Sequence, residues 1–327
     1  MKATAIAPSN IAFTKYWGKI DQALRIPENG SISMTLSNLL TTTTVEFSDA
    51  YQKDEITIND IRQEDSSVSR VIKHLDRVRK LAGIQEKARV VSFNDFPSGT
   101  GLSSSASGFA ALTVAASFAA SLHLSEKELS ILARLGSGSA CRSIPSGFVE
   151  WFSGDTNETS YAAQLFPSDY WSIADVVVIV STGRKDVPTT EGQKKAATSP
   201  FLPVRVSHMP KKNEKVKEYI KVREFDKFGE LIEAEALELH AMMLTQNPPL
   251  IYWLPGTVLM MKLVQKWRRE GLPVYFTLNT GQDVHLICQK KDVDILVRLI
   301  RQVGEAVKKI IVNTPSRGAY VIQEHLF

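Results

Sequence analysis

Phe96-Pro-Ser-Gly-Thr-Gly-Leu-Ser-Ser-Ser-Ala-Ser-Gly108 carries no charge and runs into the alanine-rich stretch from Phe109 to Leu122. Gly99 and Gly101 let the backbone approach a ligand more closely than a Cβ atom would allow. Ser103, Ser104 and Ser105 put hydroxyls where a helix exposes unpaired N–H groups and the positive end of its dipole. Together these features describe a phosphate site at a helix N-terminus. The loop lacks the Gly-Lys-Ser/Thr ending of a P-loop and is not a GxGxxG turn. A serine-capped helix of small residues is the plainer reading of such a turn. The rest of the chain decides between the two.

With 327 residues the chain can form one large or two medium domains around a substantial core. Its 43% apolar and 23% charged residues are ordinary for a globular protein. A formal charge of +4 suits an enzyme of anionic small molecules, and no concentrated basic face points to nucleic acid. The densest basic run, Lys211 to Lys217, reads as a solvated helix face. Two cysteines, Cys141 and Cys288, fit a reducing compartment, and six scattered histidines show no zinc spacing. Met1-Lys-Ala-Thr-Ala-Ile-Ala passes into polar residues without a signal-peptide pattern, so a cytoplasmic protein is expected. The uncharged run from Phe96 is rich in Ala, Ser and Gly, with few large apolar side chains for membrane insertion. A buried helix is expected there, and no membrane partner.

The first half reads as strands with a few helices. Thr41 to Phe47 and Ile56 to Ile58 have strand character, and Ala88 to Phe93 leads into the glycine-serine loop. Ser67 to Ala82 places Val68, Val71, Ile72, Leu75, Val78 and Leu81 on one helical face. Ser125 is the expected N-cap of the next helix, with Glu128 completing a capping box. Asp175 to Val180 is a buried strand, followed by a polar candidate active-site segment, Ser181 to Lys195. The second half is more helical, at Glu214–Val222, Phe225–Leu244 and Leu254–Arg269, with strands at Val274–Leu278 and Val284–Gln289. A helix over Val293–Val307 and short strands finish it. The expected division is 1–180 and 181–327, with the ligand cleft between the halves.

Four segments join the loop. Ala7-Pro-Ser-Asn-Ile-Ala-Phe-Thr-Lys-Tyr-Trp-Gly-Lys19 sets two lysines, an asparagine and a tyrosine in an apolar stretch. Gly136-Ser-Gly-Ser-Ala-Cys-Arg-Ser143 clusters hydroxyls with Arg142, a fork for carboxylate or phosphate. Arg184-Lys-Asp-Val-Pro-Thr-Thr190 adds cations and hydroxyls, and Asn279-Thr-Gly-Gln-Asp283 makes a turn. Together they describe a cleft rich in anion-binding groups and poor in acids and metal ligands. His240 and His285 read as satisfied histidines of cleft and strand.

On Asn10-Ile-Ala, Lys15-Tyr-Trp-Gly-Lys19, Pro97–Gly108, Gly136–Ser143 and Gly147-Phe-Val-Glu-Trp151, the chain resembles the ATP-dependent decarboxylases of phosphorylated mevalonate. These belong to the GHMP kinase superfamily. The resemblance spans nearly the whole length and implies a two-domain α/β fold (α+β, two-layer) with a left-handed βαβ element. It implies ATP along Pro97, Gly99, Thr100, Gly101, Ser103, Ser104 and Ser105, with Mg²⁺ at Ser104. It implies phosphorylation of the substrate's C3 hydroxyl, then loss of phosphate and CO₂ to give an isopentenyl phosphate. Lys19 and Tyr16 match residues near the substrate phosphates and C3 oxygen, and Lys15 shares their motif. Ser137, Ser139 and Arg142 match the substrate site, with Arg142 toward the carboxylate; Thr189 stands where the family usually has serine. A homodimer is a family-level expectation.

The family's turn reads Phe-Thr-Met/Phe-Asp-Ala-Gly-Pro-Asn; here it is Phe276-Thr-Leu-Asn-Thr-Gly-Gln-Asp283. Asn279 thus replaces the aspartate regarded as the base for the C3 hydroxyl, and an amide cannot take a proton as a carboxylate does. Three explanations stand side by side. Asp283 supplies the carboxylate; the base is dispensable; or Asn279 is an engineered change. Departures near Thr189, at Leu237–Leu244 and in the Asn279 turn favour mevalonate 5-phosphate over the 5-diphosphate. A kinase without decarboxylation and an inactive nucleotide-binding relative complete the alternatives.

Overall fold

The computed structural model describes residues 1–63, 66–97, 101–183 and 185–327, the side chains of Ser66 and Ser67 excepted. Its first sheet has eight strands and is built on the long strand Ser31–Ser48. One end of that strand pairs antiparallel with Phe148–Phe152, the other with Lys87–Asn94, while Lys2–Ala12 runs beside nearly all of it. The register shifts between Pro8 and Asn10, where a proline lacking an N–H interrupts the ladder. Glu55–Ile58 is parallel to Lys87–Asn94, and the intervening helix Ser66–Ala82 completes a βαβ unit.

The alanine-rich helix spans Ser104–Ala119 and is buried on almost every side. Its small residues explain that placement. Ala110, Ala111, Ala115 and Ala116 pack in one cluster with Ala3, Ala5 and Ala7 of the first strand, so helix and sheet approach closely. The Ser125 capping box is present, with Glu128 N donating to Ser125 Oγ and Ser125 N to Glu128 Oε2.

The second sheet has the antiparallel order Val274–Thr277, Val284–Gln289, Ile173–Ile179, Lys309–Asn313. Ile173–Ile179 is buried throughout, which accounts for its unbroken apolar run. One face of it, with Ala174, Val176 and Val178, meets Met260, Val264 and Trp267. The other, with Ile173, Val177 and Ile179, shares a core with Ile11 and Phe148 of the first sheet, Phe13 just past its first strand, and Phe228 and Ile232 of the Phe225–Thr245 helix. Sheet membership crosses residue 180 both ways: Ile173–Ile179 lies in the second sheet, and Tyr320–Ile322 returns to pair with Lys2–Ala12 in the first.

The expected helix over Val293–Val307 is shorter, Val293–Arg301, because a 3₁₀ turn at Gly304–Ala306 follows, with Gly304 at φ +76°. The run Lys211–Lys217 falls within the helix Leu202–Val222 and is not wholly solvated. Lys212 reaches Glu235 and Glu238, and Lys217 reaches Glu150. Among the described residues, no helix is long and apolar enough to cross a membrane.

Candidate active site

The N-terminal motif lies where the two halves meet, held by groups from both. Glu235 Oε1 accepts from Lys15 N at 3.0 Å, while Arg205 Nη2 and Asn29 Nδ2 donate to Lys15 O at 2.9 and 3.0 Å. Trp17 packs with Leu239, Met242, Met243 and Leu250, and its indole donates to Gln246 at 3.2 Å. Asn10 serves the next segment. Its Nδ2 donates to Ser143 Oγ and Ser139 O, and its Oδ1 accepts from Arg142 Nε at 3.2 Å. Arg142 Nη1 donates to Ser31 Oγ at 2.7 Å, and its guanidinium lies beside the Tyr16 and Trp151 rings. A buried guanidinium is thus fixed through Nε and Nη1, which leaves Nη2 for a ligand carboxylate.

The cavity between these elements has a volume of about 220 Å³. Five basic side chains line it: Lys15, Arg25, Arg70, Arg142 and Lys185. So do Tyr16, Gly101, Ser103, Ser104, Ser105, Ser137, Ser139, Thr189, Gln193 and Asn279, and no carboxylate does so among the described residues. Such a field attracts and orders polyanions. A second, largely apolar cavity of about 270 Å³ adjoins it through Arg70, Ser104 and Ser105, and is walled by Ile56, Val71, Phe109 and Leu112.

At the loop, Gly99 and Thr100 lie outside the described residues, as does Arg184. Gly101 has φ +118°, and a Cβ on it would come within 2.6 Å of Gly281 Cα, so this glycine admits the Asn279 turn against the loop. Ser103 does not cap the helix. It sits in the left-handed region at φ 59°, and its Oγ accepts instead from Asn279 Nδ2 at 3.2 Å. The first N–H groups of the helix are therefore not taken by a Ser103 cap. Pro97, next to the undescribed residues, is not among the residues that line either cavity.

Asn279 is held from three sides. Lys15 Nζ donates to its Oδ1 at 3.3 Å, Ser103 takes its amide hydrogen, and His240 Nε2 lies 3.1 Å from its carbonyl oxygen. His240 stacks on Trp253, and burial lowers it to about 3, so it is a neutral prop for the turn. His285 pairs with buried Asp175 at 2.8 Å inside the second sheet, away from the cavity.

Asp283 is not at the cavity. The residue is 3% exposed, and Oδ1 accepts from Val180 N at 3.1 Å, bracing the end of a buried strand. The expectation that Asp283 replaces the missing acid is corrected by that geometry. Lys19 is likewise one step back. It donates to Gln193 Oε1, and Gln193 lines the cavity. Arg25 and Arg70 were not foreseen. They arrive from a turn and from the polar side of a helix, with nothing in their local sequence to distinguish them from surface arginines.

Burial lowers Lys185 to about 8; burial, with Arg25 and Lys194 nearby, does the same to Lys19. Both amines are charged below pH 8 and lose that charge above it. Affinity for phosphate-bearing ligands is therefore expected to fall as pH rises past 8, by up to about tenfold per unit for each proton coupled to binding. Calorimetric titration with an ATP analogue from pH 7 to 9 checks this. Stability of the empty protein runs the other way, rising between about 8 and the usual lysine value of 10.5, because the unfolded chain holds those protons longer.

Two family models match the chain: the diphosphomevalonate decarboxylase-like N-terminal domain over residues 7–162 and the mevalonate 5-diphosphate decarboxylase C-terminal domain over 175–323. The chain belongs to the diphosphomevalonate decarboxylase family. That family comprises ATP-dependent carboxy-lyases of the GHMP kinase fold. The chain is 35% identical to the diphosphomevalonate decarboxylase of Candida albicans, over 91% of its length and 87% of the relative's. It is 33% identical to the phosphomevalonate decarboxylase of Haloferax volcanii, over 93% of each. The solved mevalonate diphosphate decarboxylase from Enterococcus faecalis superposes with a TM-score of 0.92 at 35% identity, covering 99% of both chains. A structure described as "MDDEF in complex with MVAPP, AMPPCP and Magnesium" superposes at 0.93, with 37% identity and 99% of both chains. These relatives give no support to the kinase-only or inactive alternatives.

Proposed function

We propose that this protein uses ATP to decarboxylate mevalonate 5-phosphate, giving isopentenyl phosphate, ADP, phosphate and CO₂. The observation that carries the reading is the cavity with Arg25, Arg70, Arg142 and Lys185, the Lys15 amine among them and no described carboxylate, set at a helix N-terminus. A phosphorylated carboxylic acid and a nucleoside triphosphate are both polyanions, and such a lining holds them close together.

Arg142 binds the substrate carboxylate from its fixed frame, with Ser137 and Ser139 beside it. Ser103, Ser104, Ser105 and Lys185 take the nucleotide phosphates, and the adjoining apolar cavity takes the base. Thr189 orients Lys185, accepting from its Nζ at 2.7 Å. The order of events follows from chemistry. A tertiary hydroxyl leaves poorly, whereas a phosphate leaves as positive charge develops at C3. The carboxylate bond then supplies electrons to the alkene. Arg142 holds that carboxylate in line for fragmentation.

Mg²⁺ fits this lining only as a passenger of the nucleotide. Among the described residues no cluster of acids, histidines or cysteines could hold a metal, and Ser104 offers a single hydroxyl beside phosphates that would supply the remaining oxygens. Bound there, it would neutralise phosphate charge.

Support for the monophosphate comes from Gln193. It stands between the cavity and Lys19, accepting from the ammonium, so one fewer cation faces a second phosphate directly. Incubation with ATP and each phosphorylated mevalonate, with CO₂ measured, tests the reading. Release from the 5-phosphate is expected. Release from the 5-diphosphate alone sinks the substrate choice, and release from neither sinks the decarboxylase.

A further inference from the structure

The decarboxylase reading leaves a proton without a destination. When the C3 hydroxyl attacks the γ-phosphorus, its proton needs an acceptor, and Asn279 cannot be one. The carboxylates nearby are accounted for elsewhere. Asp283 is turned to Val180, Asp175 pairs with His285, and Glu235 faces the Lys15 backbone, Arg205 and Lys212. His240 is bound to the Asn279 carbonyl and does not line the cavity. Tyr16 lines it, but burial raises its hydroxyl above the usual 10.

Lys15 remains. Its amine donates to Ala12 O and to Asn279 Oδ1, both neutral carbonyls, and no carboxylate meets it among the described residues. Resting on the decarboxylase reading, we propose that Lys15 is the proton acceptor of the phosphoryl-transfer step, an amine base in the place left by the missing acid. Asn279 makes this possible by being neutral. An aspartate there would pair with the ammonium and hold its proton, whereas the amide orients the amine without charging it.

The electrostatic setting agrees. Burial drives Lys15 well below the usual 10.5; Glu235 and Asp175 act to raise it, Arg142 and Arg205 to lower it further, and neutral His240 sits behind. Burial is the largest of these effects and the net shift is downward, which favours the neutral amine a base must be.

The step balances. The Lys15 Nζ lone pair takes the hydroxyl proton as the C3 oxygen–γ-phosphorus bond forms, and the bond to the β-phosphate oxygen breaks with its electrons remaining on ADP. In the second step the C3–O bond breaks, and phosphate departs with those electrons. The C–C bond to the carboxylate becomes the alkene and CO₂ leaves. The Lys15 ammonium returns its proton to the departing phosphate, so the amine is neutral again for the next turnover.

Lys15→Arg separates base from cation, because arginine keeps the charge but cannot give up a proton. Single-turnover CO₂ release at saturating ATP, normalised to sites counted by nucleotide binding, is the measurement. Lys15→Arg alone is expected to lose about 10²–10⁴-fold, the usual worth of a general base. Adding Asn279→Asp should restore the arginine variant to within roughly tenfold of Asn279→Asp alone, since a carboxylate then takes the proton. Asn279→Asp should also move the rising limb of the pH–rate profile down into the carboxylate range. The proposal is overturned if Lys15→Arg keeps its rate, if Asn279→Asp fails to rescue it, or if the limb stays in place. No CO₂ from the unmodified protein with either phosphorylated mevalonate overturns the decarboxylase reading, and the base with it.

Discussion

Arg142→Lys is expected to lower kcat/KM for CO₂ release by about a thousandfold while nucleotide affinity stays within a factor of about three, from the usual worth of a preorganised charged donor. The guanidinium is rigid because two of its nitrogens are spent on Asn10 and Ser31 and its face lies against Tyr16 and Trp151. What remains is the outer edge, Nη2 with the second hydrogen of Nη1, for a carboxylate. Lysine keeps the charge but brings a single ammonium on a flexible stem, so it can neither span two carboxylate oxygens nor hold the Asn10 and Ser31 partners. Those partners would then be buried unpaired, adding a modest loss of stability. Steady-state kinetics with a parallel nucleotide titration decides it. Retention of the rate within tenfold would show that charge alone suffices and that the fork plays no part.

Glu235→Ala is expected to be the most destabilising of the site's supporting changes, at about 3–5 kcal/mol, because it leaves a buried charge without its partner. The carboxylate receives Lys15 N, both arms of Arg205, and Lys212. Burial pushes this acid up, yet Arg205 and Lys212 outweigh it and the net shift is downward. Its contribution is therefore present above the usual 4.5 and is lost as pH falls below that value. With an unfolding entropy of about 2.1 cal/mol/K per residue, the loss corresponds to a melting temperature lower by roughly 4–7 °C. The same change frees the backbone of Lys15, so kcat should fall with stability. Calorimetry and CO₂ release on one preparation test both. An unchanged melting temperature would mean that Arg205 finds full compensation in Glu238.

Much of the fold could be read along the chain. The loop, the capping box at Ser125, the apolar run before residue 180 and the paired strands around the Asn279 turn each carry a local signature, since turn chemistry and periodicity act over a few residues. The strand Lys2–Ala12 has no such signature, because its alternating alanines are too small to register as an apolar stripe. They make sense only against the alanine-rich helix that they meet. Beyond Arg301 the signal misleads in the opposite way, the apolar residues continuing past the point where Gly304 turns the backbone.

For the site the division is sharper. Which residue types are present, and that Asn279 lacks the charge of an acid, follow from the sequence alone. So does the expectation of a cavity for anions, because a helix N-terminus beside glycines and hydroxyls has that property wherever it folds. Which groups reach the cavity was decided by tertiary structure. Arg25 and Arg70 converge on it from distant elements, Asp283 turns to a strand end, and Lys15 loses water and gains only neutral partners. Charge and hydrogen-bonding capacity belong to the residue, but desolvation and direction belong to the packing around it, and those two set what an amine or a carboxylate can do.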